Sequence, residues 1–278
     1  MELTAETIDR VVDLALAEDV GDGDVTTEAL VPADLRCRAQ LLLEEPGVVC
    51  GVPAAAAVFR ALDTDVHVDA ALADGAVVAE PPAVLAEIEG PARAVLTGER
   101  TALNLLGRLC GIATLTRRYV DLVDGTGAVV LDTRKTTAGL RALEKYAVRC
   151  GGGSNHRAGL YDAVLVKENH LRVAGGISAA VAALRERADG FSLEVEAETI
   201  EQVAEALDVG VERILLDNMT PEEVARAVAL VDGRAQLEAS GGVSLATVRA
   251  YAETGVDFIS VGALTHGARS LHVSLEVL

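Results

Sequence analysis

The middle of the chain carries a cluster of basic and hydroxyl side chains. It comprises Asp132-Thr-Arg-Lys-Thr-Thr137, Asn155-His-Arg157 and Lys167. Arginine offers a planar fork that fits carboxylate and phosphate groups, and lysine offers a compact positive charge. A solvated basic face is the alternative interpretation, but these residues follow apolar runs rather than lying on polar helix faces. The cluster therefore predicts a pocket for a ligand with several negative charges.

Carboxylates form a second group at the ends of neighbouring apolar runs. Glu194 and Glu196 alternate along one run, which places them on the same side of a strand, and Asp217 ends the next run. Such oxygens bind Mg²⁺ or hold sugar hydroxyls, and they also form ion pairs with nearby Arg and Lys. We favour a functional role for Glu196 and Asp217, and we leave Glu194 open between the two interpretations.

Small residues follow the last two apolar runs, in Ser240-Gly-Gly242 and Val261-Gly-Ala263. Backbone N–H groups approach an anion closely where side chains are small, and many α/β barrels bind phosphate at this position. Glycine also simply turns a chain, so the pattern is weak alone. Its position after the strands favours a phosphate site.

The charge distribution supports a local anion site within an acidic protein. The 278 residues carry 24 Lys+Arg against 43 Asp+Glu, a formal net charge of −19. Such a surface makes nucleic acids and anionic membranes poor partners. All three lysines (Lys135, Lys145 and Lys167) nevertheless lie in the central stretch, and residues 93–172 hold 13 Lys+Arg against 7 Asp+Glu.

Cysteine usage and the first residues suggest an intracellular protein. The four cysteines show no C-x-x-C pair and no metal-ligand spacing, so we expect reduced, mostly buried thiols. The first residues predict an acidic amphipathic helix capped by Thr4, not a signal peptide, and no apolar stretch is long enough to span a membrane. We therefore expect a cytoplasmic protein without metal bound to cysteine.

The order of predicted elements indicates an α/β protein in two parts. Residues up to about 105 predict an α+β domain, and a helix predicted over 93–123, broken near Gly107 and Gly111, overlaps its end. Beyond Gly127, strands alternate with helices, which is typical of a parallel sheet. The predicted strands lie at 128–132, 162–167, 191–196, 213–217, 235–239 and 257–261, and the helices between them lie near 139–149, 176–187, 199–208, 221–231 and 244–253.

Polar residues follow all six of these strands, which favours a barrel over a flat sheet. In a barrel the carboxyl ends converge on one mouth, whereas in a doubly wound sheet only the strands beside the switch point converge. The stretch is short of the ~250 residues of eight βα units. We expect an incomplete, six- or seven-stranded α/β barrel over residues 106–267, with a seventh strand at 155–157 and with the tail, 268–278, packed on the domain 1–105.

Long motifs in nearly full-length order resemble the quinolinate phosphoribosyltransferase family. They include Glu18-Asp-Val-Gly-Asp-Gly-Asp-Val-Thr-Thr27, Glu99-Arg-Thr-Ala-Leu-Asn-Leu-Leu106, Gly111-Ile-Ala-Thr114, Leu131-Asp-Thr-Arg-Lys-Thr-Thr137, Leu140-Arg-Ala-Leu-Glu-Lys-Tyr-Ala-Val-Arg-Cys-Gly-Gly-Gly153, Asn155-His-Arg157, Leu215-Leu-Asp-Asn-Met219, Glu238-Ala-Ser-Gly-Gly242 and Val261-Gly-Ala-Leu-Thr-His266. The resemblance implies conversion of quinolinate and phosphoribosyl pyrophosphate to nicotinate mononucleotide, CO₂ and pyrophosphate, a step of NAD biosynthesis. It also implies an N-terminal α+β sandwich domain beside the incomplete barrel, and it implies Mg²⁺. It further implies a homodimer, or a higher homo-oligomer, whose site is completed by the neighbouring subunit.

The resemblance further implies a role for each matching residue. Arg100 would reach a quinolinate carboxylate of the neighbouring subunit. The implied quinolinate and phosphate ligands are Thr133, Arg134, Lys135, His156, Arg157 and Lys167, with Lys135 on the phosphates. Glu196 and Asp217 would face the ribose and Mg²⁺, and together with Lys135 and Lys167 they form the implied catalytic set. The 5-phosphate would lie against Ser240, Gly241, Gly242, Val261, Gly262 and Ala263.

Three positions depart from the family pattern, and two alternatives remain. Ala138, Ala197 and Gly267 stand where the family usually has other residues, which affects loop rigidity rather than charge. The first alternative is the related phosphoribosyltransferase-like protein of molybdenum-transport operons. The second is a non-catalytic metabolite-binding protein. The complete set of Arg, His and Lys argues against the former, and the retained carboxylates argue against the latter.

Overall fold

A computed structural model describes residues 3–187 and 192–278, and these residues divide into two compact units. The first unit contains the chain up to Arg117, residues Thr136–Gly152 and residues Leu264–Leu278. The second contains Arg118–Lys135 and Gly153–Ala263. The first unit is therefore discontinuous along the chain, and the predicted boundary at 105/106 stays a prediction. No helix in the described ranges is long and apolar enough to cross a membrane.

Helices and strands are mixed in the first part of the chain and, apart from the consecutive helices α6 and α7, alternate in the second. Up to residue 123 they are α1 (Ala5–Asp19), α2 (Val25–Leu30), β1 (Arg36–Leu43), β2 (Gly47–Val48), α3 (Val52–Leu62), β3 (His67–Ala70), β4 (Val77–Val78), β5 (Ala83–Pro91) and α4 (Ala92–Val123). They continue with β6 (Val129–Leu131), α5 (Arg141–Cys150), β7 (Val164–Val166), α6 (Glu168–Ala174), α7 (Ile177–Arg187), β8 (Leu193–Ala197), α8 (Ile200–Asp208), β9 (Arg213–Asp217), α9 (Pro221–Val231), β10 (Gln236–Ser240), α10 (Val248–Ala252), β11 (Phe258–Ser260), α11 (Ala263–His266) and β12 (Val273–Val277).

The first unit is built on an antiparallel sheet in the order β12-β1-β5-β3. Alternate residues of β1, namely Ala39, Leu41 and Leu43, are almost fully buried, as expected for a strand with one face against a core. The C-terminal strand β12 pairs with β1 from Val277 opposite Ala39 to Val273 opposite Leu43. The predicted N-terminal helix is confirmed, with the Thr4 hydroxyl accepting the Thr7 N–H at 3.3 Å.

Helix α4 is continuous, so the predicted break near Gly107 and Gly111 is wrong. A Cβ atom on Gly111 would lie 1.9 Å from the Arg269 carbonyl oxygen, and one on Gly107 would lie 2.8 Å from the Leu271 carbonyl oxygen. Leu271 also donates its N–H to the Gly107 carbonyl at 3.0 Å. The glycines therefore allow residues 269–271 to pack against the helix backbone, and they do not interrupt it.

The second unit contains, within the described residues, a six-stranded parallel sheet in the order β6-β11-β10-β9-β8-β7. The first strand of this sheet along the chain, β6, pairs with the last, β11, and Val129 lies opposite Phe258. All remaining neighbours in the sheet are strands that follow one another in its chain order. This is the strand order of a barrel left open between β6 and β7, so the predicted incomplete α/β barrel is confirmed. The predicted strand 191–196 begins at Phe191, outside the described residues, and β8 is described from Leu193.

The predicted seventh strand at 155–157 is reduced to a single bridge between Leu131 and Ser154. Ser154 donates its N–H to the Val130 carbonyl at 2.9 Å, and Asp132 donates its N–H to the Ser154 carbonyl at 3.1 Å. The next residues leave the ladder, because the buried Asp132 carboxylate accepts the Asn155 side-chain amide at 2.6 Å and the His156 N–H at 2.9 Å. This carboxylate fixes the segment that carries His156 and Arg157.

Candidate active site

The carboxyl ends of the six parallel strands surround a cavity of about 570 Å³ in the second unit. Its position follows from the topology, since parallel strands of a barrel all end at one mouth. Eleven residues singled out in the sequence line it, and these are Thr133, Arg134, Lys135, His156, Arg157, Lys167, Glu196, Asp217, Ser240, Gly241 and Gly242.

Positive charge is concentrated in the part of the cavity formed by Arg134 and Arg157. Burial, and then the charge of Arg134, lower the pKa of Arg157 from its ordinary value. An arginine nevertheless stays protonated at any physiological pH. Arg157 is half-buried and donates from Nη1 to the Ala163 carbonyl at 3.3 Å, with further N–H groups in its guanidinium. Two like charges held together in a partly buried site attract an anionic ligand.

Negative charge occupies a neighbouring part of the cavity, formed by Glu196 and Asp217. Oε1 of Glu196 accepts the Glu168 N–H at 3.1 Å, and Oε2 lies 3.7 Å from Lys167 Nζ. Burial and the nearby Glu196 raise the pKa of Asp217, against the opposing charge of Lys167. The same cavity therefore offers both an anion site and a site for positive charge.

A divalent cation fits this second part. Glu196, Glu198 and Asp217 each offer a carboxylate oxygen, and these oxygens lie within 4.8 Å of one another. Mg²⁺ prefers oxygen ligands and usually takes one or two protein carboxylates. Glu198 was not identified from the sequence, although it continues the alternation of Glu194 and Glu196 along β8.

A buried network lies behind the cavity and involves His156, Glu194 and Glu238. His156 Nε2 is 3.1 Å from Glu194 Oε2 and 3.5 Å from Glu238 Oε1. Burial, and then the charge of Glu194, raise the pKa of Glu238 to about 7. Burial also acts to lower the pKa of His156, but the two carboxylates outweigh it and raise that pKa. The protonation of His156 and that of Glu238 therefore depend on each other.

The loop after β10 has the backbone geometry expected for close approach of a ligand. Gly241 and Gly242 have φ angles of 93° and 64°, in the left-handed region that favours glycine. A Cβ atom on Gly241 would lie 2.2 Å from Asn218 Oδ1, whereas one on Gly242 would meet nothing within 4 Å. Asn218 also donates its N–H to the Ser240 carbonyl at 2.9 Å, which joins the loops after β9 and β10.

Residues Val261, Gly262 and Ala263 are not among the residues that line the cavity. Val261 is buried, and its N–H donates to the Leu131 carbonyl at 2.9 Å as part of the sheet. The preceding residue, Ser260, lines the cavity instead. A role of the 261–263 segment in phosphate binding stays a prediction.

Arg100 lies on α4 in the first unit, where it lines a separate cavity of about 310 Å³ with Asn104 and His272. The resemblance assigns Arg100 to the site of a neighbouring subunit, so this placement leaves its predicted role untested.

Sequence reasoning missed several residues that line the main cavity. Besides apolar Leu165 and Leu215, these are Glu168, Asn169, Asn218, Glu238 and Ser260. Glu168, Asn169 and Asn218 lie within three residues after an apolar strand, Ser260 ends β11, and Glu238 lies within β10. Their position in or near the ends of strands could therefore have identified them as cavity residues. Their side chains lack the positive charge that identified the basic cluster.

Comparisons with known proteins agree with this geometry. The quinolinate phosphoribosyl transferase N-terminal domain model matches residues 24–110, and the C-terminal domain model matches residues 112–276. A Bacillus subtilis protein named probable nicotinate-nucleotide pyrophosphorylase (carboxylating) is 42% identical over 261 residues, covering 94% of this chain and 90% of its own. A Synechocystis protein of the same name is 44% identical, covering 95% and 90%.

A solved structure of the nicotinate-nucleotide pyrophosphorylase from Francisella tularensis superposes with a TM-score of 0.95 at 38% identity. The alignment covers 100% of this chain and 98% of that one. Both the sequence and the fold therefore match along the entire length. The chain belongs to the quinolinate phosphoribosyltransferase family.

Proposed function

We propose that this protein transfers the phosphoribosyl group of phosphoribosyl pyrophosphate to the ring nitrogen of quinolinate, with loss of CO₂. The products are nicotinate mononucleotide and pyrophosphate. The observation that carries the proposal is one cavity in which Arg134 and Arg157 lie near Glu196 and Asp217. The names of the relatives, carboxylating nicotinate-nucleotide pyrophosphorylase and quinolinate phosphoribosyltransferase, support the same reaction.

The basic residues bind the dicarboxylate in this proposal. Arg134, Arg157 and Lys167 supply the positive charge that two carboxylates require, and a guanidinium matches a carboxylate with two parallel hydrogen bonds. His156 already uses both ring nitrogens within the protein, since Nδ1 accepts the Arg157 N–H at 2.7 Å and Nε2 faces Glu194. His156 thus orients Arg157, and direct contact of its ring with quinolinate stays a prediction.

The carboxylates act on the ribose. As the bond from C1 of the ribose to pyrophosphate breaks, positive charge develops on C1, and fixed negative charge nearby stabilises it. Glu196 is held for this role by the Glu168 N–H and by Lys167. A bound Mg²⁺, held by Glu196, Glu198 and Asp217, would supply charge neutralisation for the pyrophosphate leaving group.

Loss of CO₂ follows from the chemistry of the ribosylated ring. When the C2–carboxylate bond breaks, its electron pair stays on C2, where the adjacent cationic nitrogen stabilises it until a proton from solvent is added. The residues of this chain then serve to hold the ring and its remaining carboxylate. Lys135 contributes positive charge toward the phosphates in this scheme.

Release of labelled CO₂ from carboxyl-labelled quinolinate tests the proposal. We expect release only with phosphoribosyl pyrophosphate and Mg²⁺ present, and loss of release in Asp217→Asn. The exposed Asp208, at the end of α8, provides the control variant Asp208→Asn. Absence of CO₂ release from the intact protein would overturn the proposal and would favour a binding protein or a phosphoribosyltransferase with another acceptor.

We also propose that the active site is shared within a homodimer, with Arg100 supplied by the neighbouring subunit. The support is that Arg100 belongs to the first unit while the main cavity belongs to the second. Mixing inactive Arg100→Ala with inactive Asp217→Asn should restore part of the activity, because mixed dimers contain one site with neither change. Unchanged inactivity of a mixture shown to exchange subunits would contradict a shared site.

A further inference from the structure

Two thiols and a carboxylate meet in the first unit, apart from the residues of the proposed active site. Cys50 precedes α3, Asp74 lies between β3 and β4, and Cys150 is the last residue of α5. One ligand atom from each, the two sulfurs and a carboxylate oxygen, lies within 4.8 Å of the others. The three segments are far apart in the chain, so folding alone brings these groups together.

Asp74 is oriented by hydrogen bonds rather than by an ion pair. Its Oδ2 accepts the Gly51 N–H at 3.0 Å and the Tyr146 hydroxyl at 2.9 Å, and its Oδ1 accepts the Val52 N–H at 3.2 Å. A carboxylate has about four lone-pair positions, so one remains for a further partner. No Arg, Lys or His within the described ranges forms a salt bridge with Asp74. Its negative charge is therefore left without a cation.

The two thiols differ in exposure. Cys50 is fully buried, and Cys150 is partly exposed. Cys150 therefore forms the accessible side of the cluster, where a metal ion can enter and bind the deprotonated sulfur.

The third nearby thiol, that of Cys110, forms hydrogen bonds with the backbone of Cys50. Cys110 Sγ accepts the Cys50 N–H at 3.2 Å and donates to the Cys50 carbonyl at 3.3 Å. These bonds hold the backbone of Cys50 in place and leave its own sulfur directed to Cys150 and Asp74. Cys110 therefore supports the cluster without being one of its ligands.

We propose that Cys50, Asp74 and Cys150 bind one thiophilic divalent cation of the Zn²⁺ class, with water as the fourth ligand. Ligand atoms of a tetrahedral zinc site lie about 3.5–3.8 Å apart, given bonds of about 2.3 Å to sulfur and 2.0–2.2 Å to oxygen. The three ligand atoms of the cluster lie within 4.8 Å of one another, so binding at this spacing requires small side-chain shifts. Binding releases the thiol protons to solvent. Soft sulfur ligands distinguish this site from the all-oxygen set of Glu196, Glu198 and Asp217.

Such an ion would join three segments of the first unit. Hydrogen bonds to Asp74 from Gly51, Val52 and Tyr146 correspond to the outer-shell contacts that orient metal ligands in proteins. Since the site forms only in the folded chain, binding adds to the stability of the fold. The proposed role is structural and does not depend on the proposed catalytic function.

Anaerobic titration of the full-length protein with Co²⁺, with excess Mg²⁺ on the all-oxygen site, tests the proposal. We expect a sulfur-to-cobalt charge-transfer band that saturates at one equivalent and disappears when Zn²⁺ is added. Cys150→Ser should abolish the band. Cys37→Ser, which changes a cysteine on β1 outside the cluster, should leave it intact.

Two further measurements distinguish loss of metal binding from loss of folding in the variants. Tyr146→Phe keeps all three ligands and should weaken Co²⁺ binding about ten-fold, as expected for a lost outer-shell contact. Zn²⁺ should raise the melting temperature of the unchanged protein and of Cys37→Ser, but not that of folded Cys150→Ser. Absence of the band in the unchanged protein, or an equal band in Cys150→Ser, would overturn the proposal.

Discussion

His156 Nε2 lies 3.1 Å from Glu194 Oε2, and this contact orients the segment that forms the basic side of the cavity. Because Nδ1 of the same ring accepts the Arg157 N–H at 2.7 Å, the proton of the neutral ring belongs on Nε2, toward Glu194. Glu194 thereby selects both the tautomer and the position of the ring. The sequence left Glu194 open between a functional role and ion pairing with Arg or Lys, and the structure shows it in contact with His156.

Replacing Glu194 by Gln should shift the pH dependence of quinolinate use. The change removes a negative charge that raises the pKa of His156, so that pKa should fall. We expect a displaced inflection in kcat/KM for quinolinate between about pH 5 and 9. Glu80→Gln, an exposed position, is the control, and identical profiles for both variants would contradict the role of Glu194.

Replacing Arg157 by Lys should weaken quinolinate binding selectively. Lysine keeps the charge but loses the fork that pairs with a carboxylate, which costs about 1.5–3 kcal/mol per charged hydrogen bond, or roughly a ten- to hundred-fold rise in KM. KM for phosphoribosyl pyrophosphate should change little. Arg172→Lys, on an exposed arginine paired with Glu168, is the matched control. An equal rise in both KM values would indicate that Arg157 is structural.

The barrel was largely predictable from sequence because its strands are continuous apolar runs ended by polar residues. The predicted strand at 213–217 coincides with β9, and β10 lies within one residue of its prediction. Helices α2 and α6 were missed. Helix α2 follows its N-cap residue Asp24 in a segment rich in turn residues, and α6 follows its N-cap residue Lys167, directly after a strand. In both cases the surrounding residues indicated a turn or a strand end, and the helix that follows was not predicted.

Contacts between segments that are far apart in the chain were harder to predict. Gly107 and Gly111 suggested a helix break, although their role depends on residues 269–271, far along the chain. Cys50, Asp74 and Cys150 showed no ligand spacing because three separate segments bring them together. Spacing along the chain identifies clusters of such side chains on one element. It does not identify clusters that tertiary packing brings together from several elements.

Alanine at Gly241 should be more damaging than alanine at Gly242. Both residues have positive φ, which costs a non-glycine residue about 1–2 kcal/mol. Only Gly241→Ala also forces a Cβ atom within 2.2 Å of Asn218, which adds about 1–3 kcal/mol of overpacking. We expect a lower melting temperature and a higher KM for phosphoribosyl pyrophosphate in Gly241→Ala. Equal effects at both positions would show that the contact with Asn218 is unimportant.

Replacing Glu238 by Gln should change the pH dependence of stability. Burial and the charge of Glu194 raise the pKa of Glu238 to about 7 in the folded state, above the ordinary glutamate value of 4.5. The native protein therefore binds this proton more tightly than the unfolded chain, and the associated stability is present at acid pH and is lost as pH rises through about 7. His156 acts in the same direction in the unchanged protein, because its pKa is also raised, in part by the charge of Glu238. Urea unfolding from about pH 5 to about pH 8 should show the free energy of unfolding of the unchanged protein falling, relative to Glu238→Gln, by on the order of 1–3 kcal/mol. Parallel curves for the two proteins would mean that Glu238 is ionised throughout this range.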